Sequence, residues 1–157
     1  MHSITLRFLA AGGMPSVTDR IQGGTVLLWM DEAGQACASA WARCACVMVF
    51  VGGAGFLRPV RTGDLVEVEA HLAYTGLSSM SLAVEVRASS LQGGDMEPVT
   101  HCVAVYAAVD EDGQPRAVDT WTPETPGDIA LAQRVKVHIE AARAAQCASA
   151  PPRCRAS

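Results

Sequence analysis

Two neighbouring carboxylates, Asp31 and Glu32, lie in a segment that otherwise carries no charge. They are the only charged residues in the stretch Gly23–Ala42, which reads GGTVLLWMDEAGQACASAWA. Carboxylates are seldom buried unless they are paired, hydrogen-bonded or functional, so one of the two is a candidate for acid–base or nucleophilic chemistry. The alternative is that one or both lie at the rim of a solvated groove, or pair with Arg43 or Arg58.

The same segment begins with Gly23 and Gly24. The first backbone amides of a helix have no partner within the helix, and they lie at the positive end of its dipole. Such amides can stabilise an anion or the oxyanion that develops on a carbonyl under attack. The two glycines are equally compatible with a tight turn before a buried helix.

Cysteine and histidine do not indicate a metal or redox centre. The six cysteines match no zinc motif, and no recognisable base lies beside any of them. None of the four histidines has a partner at metal-ligand spacing. We therefore expect no metal, no cofactor and only free or buried thiols, at Cys37, Cys44, Cys46, Cys102, Cys147 and Cys154.

The hydrophobic pattern predicts the elements that position these groups. Gly23–Ala42 is long, rich in alanine and apolar on nearly every face, which predicts a helix buried all round. Two later segments alternate apolar and polar residues, as half-buried antiparallel strands do. The predicted strands are Ser3–Leu9, Cys46 through a bulge at Gly52-Gly53 to about Pro59, Leu65–Tyr74, Ser79–Arg87 and Pro98–Val109, followed by a helix at Gly127–Gln146.

This order predicts an α+β protein in which an antiparallel sheet wraps around one apolar helix. A single sheet leaves part of such a helix uncovered, so we expect a second copy of the chain to complete the enclosure. The minimal unit is then a homodimer. We expect one main domain over residues 1–122, a C-terminal helical extension over 123–146 and a disordered tail over 147–157.

Composition narrows the class of protein further. The chain has 157 residues, of which half are hydrophobic and 18% are charged, as in one compact domain. A net charge of −4 with scattered basic residues argues against binding to nucleic acid or to an anionic membrane. No apolar run is long enough to cross a bilayer and the N-terminal segment lacks the regions of a secretory signal, so we expect a cytoplasmic protein.

Four segments together resemble the cytosolic acyl-CoA hydrolases of the hotdog superfamily. They are GGTVLLWMDEAG at Gly23–Gly34, FLRPVRTGD at Phe56–Asp64, TGLSS at Thr75–Ser79 and YAAVDEDGQPR at Tyr106–Arg116. They occur in the order of that family. The resemblance implies a hotdog fold for the main domain and hydrolysis of acyl-CoA without a cofactor, since coenzyme A is part of the substrate.

The resemblance also implies roles for individual residues. Asp31 matches the acid that serves as general base or nucleophile, and the amide of Gly23 or Gly24 matches the oxyanion hole. The active site of the family lies across a dimer interface, which implies a homo-oligomer such as a dimer, tetramer or hexamer. The residues implied to bind coenzyme A are Arg58, Thr75, Gly76, Ser78 and Ser79.

The chain departs from that family at Ser16, fifteen residues before Asp31, where many members carry asparagine. Serine can still hydrogen-bond a water or a carbonyl, although its reach is shorter, so Ser16 remains a catalytic candidate. Asp19 and Gln22 also replace the usual residues of this loop. The alternative is therefore that the protein binds acyl-CoA or acyl-thioesters without hydrolysing them.

Overall fold

A computed structural model describes residues 2–11 and 18–149 of the chain. Within these ranges the strands and helices follow one another in the predicted order. Their bounds are β1 Ser3–Leu9, α1 Gly23–Ala42, β2 Cys46–Gly52, β3 Leu65–Thr75, β4 Ser79–Ser89, β5 Glu97–Ala108 and α2 Pro126–Ser149.

The strands form one antiparallel sheet in the order β1-β3-β4-β5-β2. The alternation predicted for β3 is confirmed, because Val66, Val68, Ala70 and Leu72 are all buried in the core that includes α1. A tight hairpin joins β3 to β4, with Thr75 paired to Met80. The predicted α+β architecture, a sheet around a long apolar helix with a second helix at the C-terminal end, is confirmed.

Helix α1 begins and ends where the sequence predicts. Val26, Met30 and Cys37 are buried against the sheet. The other side of the helix is open, and Leu27 and Leu28 are 41% and 55% exposed. As expected from the sequence, the sheet of one chain leaves part of the helix uncovered. Burial of the helix on every side, and the second copy that would provide it, stay predictions.

Strand β2 is shorter than predicted. It ends at Gly52 rather than near Pro59, because Gly53 has a φ of 76° and turns the chain out of the strand direction. A side chain at position 53 would also collide with the imidazole of His138 in α2. The register shift of the strand lies between Met48 and Phe50 and not at the two glycines.

Helix α2 packs on the face of the sheet opposite α1. Its buried side chains Val135 and Ile139 belong to a second core cluster with Phe50, Val103 and Val105. No helix in the part of the chain described here is both long and apolar enough to cross a membrane.

Both ends of α2 differ slightly from the prediction. Thr125 caps the first turn, since its Oγ1 accepts a hydrogen bond of 3.1 Å from the amide of Asp128. The helix continues to Ser149, three residues past the predicted Gln146. Residues 147–149 are therefore helical and not part of a disordered tail, while residues 150–157 lie outside the described ranges.

Candidate active site

Asp31 lies near the middle of α1 and is partly buried. Its Oδ1 accepts a hydrogen bond of 2.9 Å from the hydroxyl of Tyr106 in β5. Arg58 pairs with Glu97 instead, and Asp31 has no ion pair within the residues that the structure describes. The alternative in which Arg43 or Arg58 neutralises this carboxylate is therefore not observed, and the neighbouring Glu32 is exposed.

Tyr106 is fully buried, with an exposed fraction of 0%. Burial raises the pKa of its hydroxyl far above the usual value, and the hydrogen bond to Asp31 together with the negative charge of Asp31 raises it further. The hydroxyl therefore remains a neutral hydrogen-bond donor at neutral pH. The Asp31 carboxylate is held by a dipole and not by a cation.

Gly34, one turn after Asp31 in α1, provides the space for this hydroxyl. A Cβ atom at position 34 would lie 2.9 Å from two ring carbons of Tyr106 and closer still to its oxygen. Real Cβ atoms do not make such contacts, so an alanine here would displace the ring or the helix. The close approach of α1 to β5 thus depends on a glycine at this position.

The N-terminus of α1 opens onto a groove. The amides of Thr25 and Val26 donate to the carbonyl of Gln22, whose own side chain does not cap the helix. The amides of Gly23 and Gly24 donate to no group among residues 2–11 and 18–149, as expected for the first helical residues. A Cβ atom at position 24 would meet nothing within 4 Å, so a ligand can approach this amide closely.

Arg58 lies in the same groove as Gly23. The groove encloses about 380 Å³ and is otherwise apolar, with lining residues Ile21, Gly23, Val26, Phe56, Leu57, Arg58, Pro59, Val60 and Val99. Arg58 is part-exposed and pairs with Glu97 at the start of β5, while its Nε is buried and has no hydrogen-bond partner among the described residues. The structure thus brings together one predicted CoA-binding residue and one predicted oxyanion-hole residue.

The predicted CoA-binding hairpin lies elsewhere in the same chain. The Oγ1 atom of Thr75 accepts a hydrogen bond of 2.9 Å from the amide of Trp121. The indole of Trp121 packs edge-on against Trp41, in the last turn of α1, at a centroid distance of 5.8 Å. Arg58 lies by the first turn, and a helix of this length spans about 30 Å. One chain therefore does not bring Arg58 and the hairpin together.

Some backbone groups of the hairpin are already hydrogen-bonded within the sheet. The amide of Gly76 donates to the carbonyl of Ser79 at 2.8 Å, and the carbonyl of Ser78 accepts from the amide of Ala108 at 2.9 Å. The Gly76 amide is therefore not free for a phosphate. The hydroxyls of Ser78 and Ser79 are the more suitable groups.

The thiols do not form a nucleophilic site. Cys37, Cys44, Cys46, Cys102 and Cys147 are free, while Cys154 lies outside the described residues. Burial raises the pKa of Cys37 to about 11 and that of Cys102 to about 12, so both thiols are protonated at neutral pH. Within the described ranges, no three His, Cys, Asp or Glu side chains are arranged to hold a metal ion.

Sequence reasoning missed Tyr106 and Gly34, and it named one residue that cannot be placed. Tyr106 lies inside one of the recognised motifs, but it reads as a core residue of an apolar strand. The available signal was a hydroxyl on the face that also carries Cys102 and Ala104, where a polar group needs a partner. The candidate Ser16 lies outside the described residues.

Comparison with known proteins extends this description. The family model of the thioesterase superfamily matches residues 20–93. The acyl-CoA thioester hydrolase YciA of Escherichia coli K12 is 35% identical over 118 residues, which make up 73% of this chain and 89% of that protein.

Two solved structures give the same picture. An apo-hexameric acyl-CoA thioesterase matches with a TM-score of 0.84 at 26% identity, covering 95% of this chain and 94% of that one. A hexameric thioesterase from Yersinia pestis matches with a TM-score of 0.69 at 36% identity, covering 73% and 94%.

The fold and these relatives define a thioester hydrolase of the hotdog fold. Within that class, the chain belongs to the family of the acyl-CoA thioester hydrolases. The family resemblance inferred from the four sequence motifs is confirmed.

Proposed function

We propose that the protein hydrolyses acyl-CoA to a free acid and coenzyme A, with Asp31 as the general base or nucleophile. The observation that carries this proposal is the hydrogen bond of 2.9 Å from Tyr106 to Asp31 Oδ1, which orients a partly buried carboxylate without neutralising it. The relatives at 35% identity act on acyl-CoA according to their names.

Hydrolysis of a thioester needs a carboxylate beside the carbonyl carbon and hydrogen-bond donors beside the carbonyl oxygen. As a general base, the carboxylate removes a proton from a water molecule while that water attacks the carbonyl carbon. As a nucleophile, the carboxylate attacks the carbon itself, and water then hydrolyses the resulting anhydride. The carbonyl oxygen becomes an oxyanion, which the amides at the start of α1 stabilise. The carbon–sulfur bond then breaks, and the thiolate of coenzyme A leaves and takes up a proton.

Two copies of the chain are needed to assemble these parts. Gly24 and Asp31 are seven residues apart on one helix, and at about 1.5 Å per residue they lie roughly 10 Å apart along its axis. A single carbonyl cannot touch both. The Gly24 amide that serves a given Asp31 therefore comes from a second copy of the chain.

The surface of the chain suits such a homo-oligomer. Strand β2 is an edge strand, and its side chains Val47, Val49 and Val51 are 48%, 57% and 44% exposed. An unpaired apolar edge strand is a template for pairing with another chain. Both solved structures compared above are hexameric according to their descriptions, which supports assembly of this chain into dimers or multiples of dimers.

The residues proposed to bind coenzyme A are likewise divided between the two ends of α1. Arg58 in the groove beside Gly23 offers a guanidinium to a phosphate, as in many phosphate sites. The hydroxyls of Ser78 and Ser79 lie in the hairpin at the other end of α1, where Thr75 and Gly76 shape the turn through their own hydrogen bonds. We assign both sets to one bound coenzyme A that spans two copies of the chain.

The test is thiol release from a series of acyl-CoA substrates by the native protein, Asp31→Asn and Glu32→Gln. We expect Asp31→Asn to lose roughly two to four orders of magnitude in kcat, the scale of a general base. Glu32→Gln is the matched control because it removes the adjacent, exposed carboxylate, and it should keep nearly the native rate. Equal rates for Asp31→Asn and the native protein would contradict the proposal.

A further inference from the structure

We propose that Tyr106 is a positioning residue that holds the Asp31 carboxylate in its reactive orientation. This inference rests on the proposed function, because it concerns the same carboxylate. Tyr106 is wholly buried and its hydroxyl donates to Asp31, so its effect on the reaction is exerted through Asp31. Nothing in the motif resemblance assigns a role to this hydroxyl.

The contact geometry fixes the rotation of the Asp31 side chain. The Tyr106 hydroxyl lies 2.9 Å from Asp31 Oδ1 and 3.2 Å from the backbone carbonyl oxygen of the same residue. The carboxylate is thereby held on the side of the helix that faces the sheet. Its second oxygen, Oδ2, has no hydrogen-bond partner in the described part of the chain. This oxygen can therefore accept a hydrogen bond from a water molecule or attack a carbonyl carbon.

The hydroxyl itself is held by the fold and not by Asp31. Tyr106 lies in a strand with neighbours on both sides, since it pairs with Met80 of β4 and Met48 of β2. Its ring is wholly buried, and Gly34 leaves just enough space for its oxygen. A donor that cannot move is already in place before substrate arrives, so it costs no reorganisation during the reaction.

The energetic role follows from the charge of the acceptor. A hydrogen bond to an ionised carboxylate favours the charged form over the neutral one, and it is stronger than a bond between neutral groups. Tyr106 is a suitable donor because burial raises the pKa of its own hydroxyl, so that it does not lose its proton to the carboxylate. This hydrogen bond takes the place of an ion pair, since no arginine or lysine pairs with Asp31 among the described residues.

The other titratable groups that face this pair do not change charge in the relevant range. Cys102, on β5, and Cys37, on α1, are the titratable groups that raise the pKa of Tyr106 besides Asp31. Burial holds the pKa of Cys37 at about 11 and that of Cys102 at about 12, so both are neutral at acidic and neutral pH. Glu32 is the next residue in α1 and is exposed. A change in the acidic limb of the activity profile on altering Tyr106 therefore reports on the contact with Asp31.

The first experiment compares the native protein with Tyr106→Phe, which removes one oxygen atom and keeps the ring. We expect kcat to fall roughly ten- to a hundredfold, the scale of a hydrogen bond to a charged group. KM should stay within about twofold, because Tyr106 is wholly buried. We also expect the pH of half-maximal kcat on the acidic side to move upward, since the ionised carboxylate has lost its donor. A purely structural tyrosine would lower the melting temperature and leave both kcat and this pH unchanged, and that result would overturn the inference.

The second experiment replaces tyrosine by 3-fluorotyrosine in a Tyr74→Phe background, so that Tyr106 is the only tyrosine labelled. The fluorinated phenol is a stronger donor of nearly the same size. The pH of half-maximal kcat should then move downward relative to Tyr74→Phe alone. This readout keeps the inference testable if Tyr106→Phe does not fold, and an unmoved profile would contradict the inference.

The two proposals fail in different ways. If Asp31→Asn is inactive and the Tyr106 substitutions leave kcat and the pH profile as in the native protein, the positioning role is wrong and the catalytic role of Asp31 stands. If Asp31→Asn keeps the native rate, the role of Asp31 is wrong and the positioning role falls with it.

Discussion

Gly34 faces the phenol of Tyr106 so closely that a Cβ atom at position 34 would lie 2.9 Å from two of the ring carbons. The glycine therefore sets how deeply the hydroxyl of Tyr106 can reach under α1. Because that hydroxyl bonds the carboxylate of Asp31, a residue without a side chain controls the position of the proposed catalytic group.

Gly34→Ala should lower kcat by at least tenfold, because the added methyl group displaces the Tyr106 hydroxyl from Asp31. The loss should be several-fold smaller in a Tyr106→Phe background, where that hydrogen bond is already absent, and the two changes are then non-additive. Steady-state kinetics of the four proteins measures this coupling. Gly55→Ala is the control, since a Cβ atom there meets nothing within 4 Å and Gly55 has no proposed role in the reaction. Strictly additive losses for Gly34→Ala and Tyr106→Phe would contradict the account.

Arg58→Ala should raise KM for acyl-CoA about tenfold, in line with the loss of a charged hydrogen bond to phosphate. The KM for the corresponding acyl-pantetheine, which lacks the nucleotide phosphates, should stay within about twofold. The comparison requires only thiol-release kinetics with both substrates. Arg61→Ala, at a neighbouring exposed arginine, is the matched control, and an equal rise in KM for both substrates would remove Arg58 from the phosphate site.

Val49→Lys should disrupt the contact between copies of the chain, because Val49 is 57% exposed on the edge strand β2. A lysine on an edge strand opposes pairing with a second strand. We expect light scattering to show a shift toward the chain mass of 16.5 kDa, with activity per chain reduced at least tenfold. Leu91→Lys, at a loop residue that is 62% exposed, should change neither; a fully active monomer would rule out a site shared between chains.

The buried thiols should make stability depend on alkaline pH. Burial raises the pKa of Cys37 from 9.0 to about 11 and that of Cys102 from 9.0 to about 12. The folded protein therefore keeps these protons at a pH where the unfolded chain has lost them, and the free energy of unfolding falls as the pH rises above about 9. Urea unfolding between pH 8 and 11 measures the slope, which should be shallower in the variant Cys37→Ala/Cys102→Ala; an equal slope in both proteins would show that these thiols do not contribute.

Much of the fold could be predicted because the periodicity of its elements is strong. The alternation in β3 and the long apolar run of α1 specify a strand with one buried face and a helix with little polar surface, and the structure has both. The end of β2 was predicted wrongly because its apolar pattern continues beyond the last paired residue. What ends the strand is the positive φ of Gly53 and its contact with His138, which depend on α2, some eighty residues further along the chain.

The contacts of the candidate site could be predicted from the sequence only in part, for a related reason. A lone acidic pair in an apolar helix drew attention to Asp31, but periodicity cannot tell which partner satisfies it. Tyr106 is seventy-five residues away, and Gly34 matters only because that ring comes to lie beneath it. The separation of Gly24 from Asp31 follows from helix geometry alone, and the proposal of a site shared between two copies of the chain rests on it.

The most direct test of the shared site is complementation between two inactive variants, Asp31→Asn and Gly24→Pro. Proline is tolerated in the first turn of a helix and removes the amide proton. Gly24→Ala, which adds a Cβ atom but keeps the amide, separates the loss of that proton from the effect of added bulk. Each variant alone should release thiol from acyl-CoA at less than about one hundredth of the native rate, the scale set by losing a base or an oxyanion donor. Refolding the two variants together in equal amounts makes half of the dimers mixed, each with one intact site, so roughly a quarter of the native activity should return if Asp31 and Gly24 act across two chains. Mixed oligomers that stay as inactive as either parent would contradict the account.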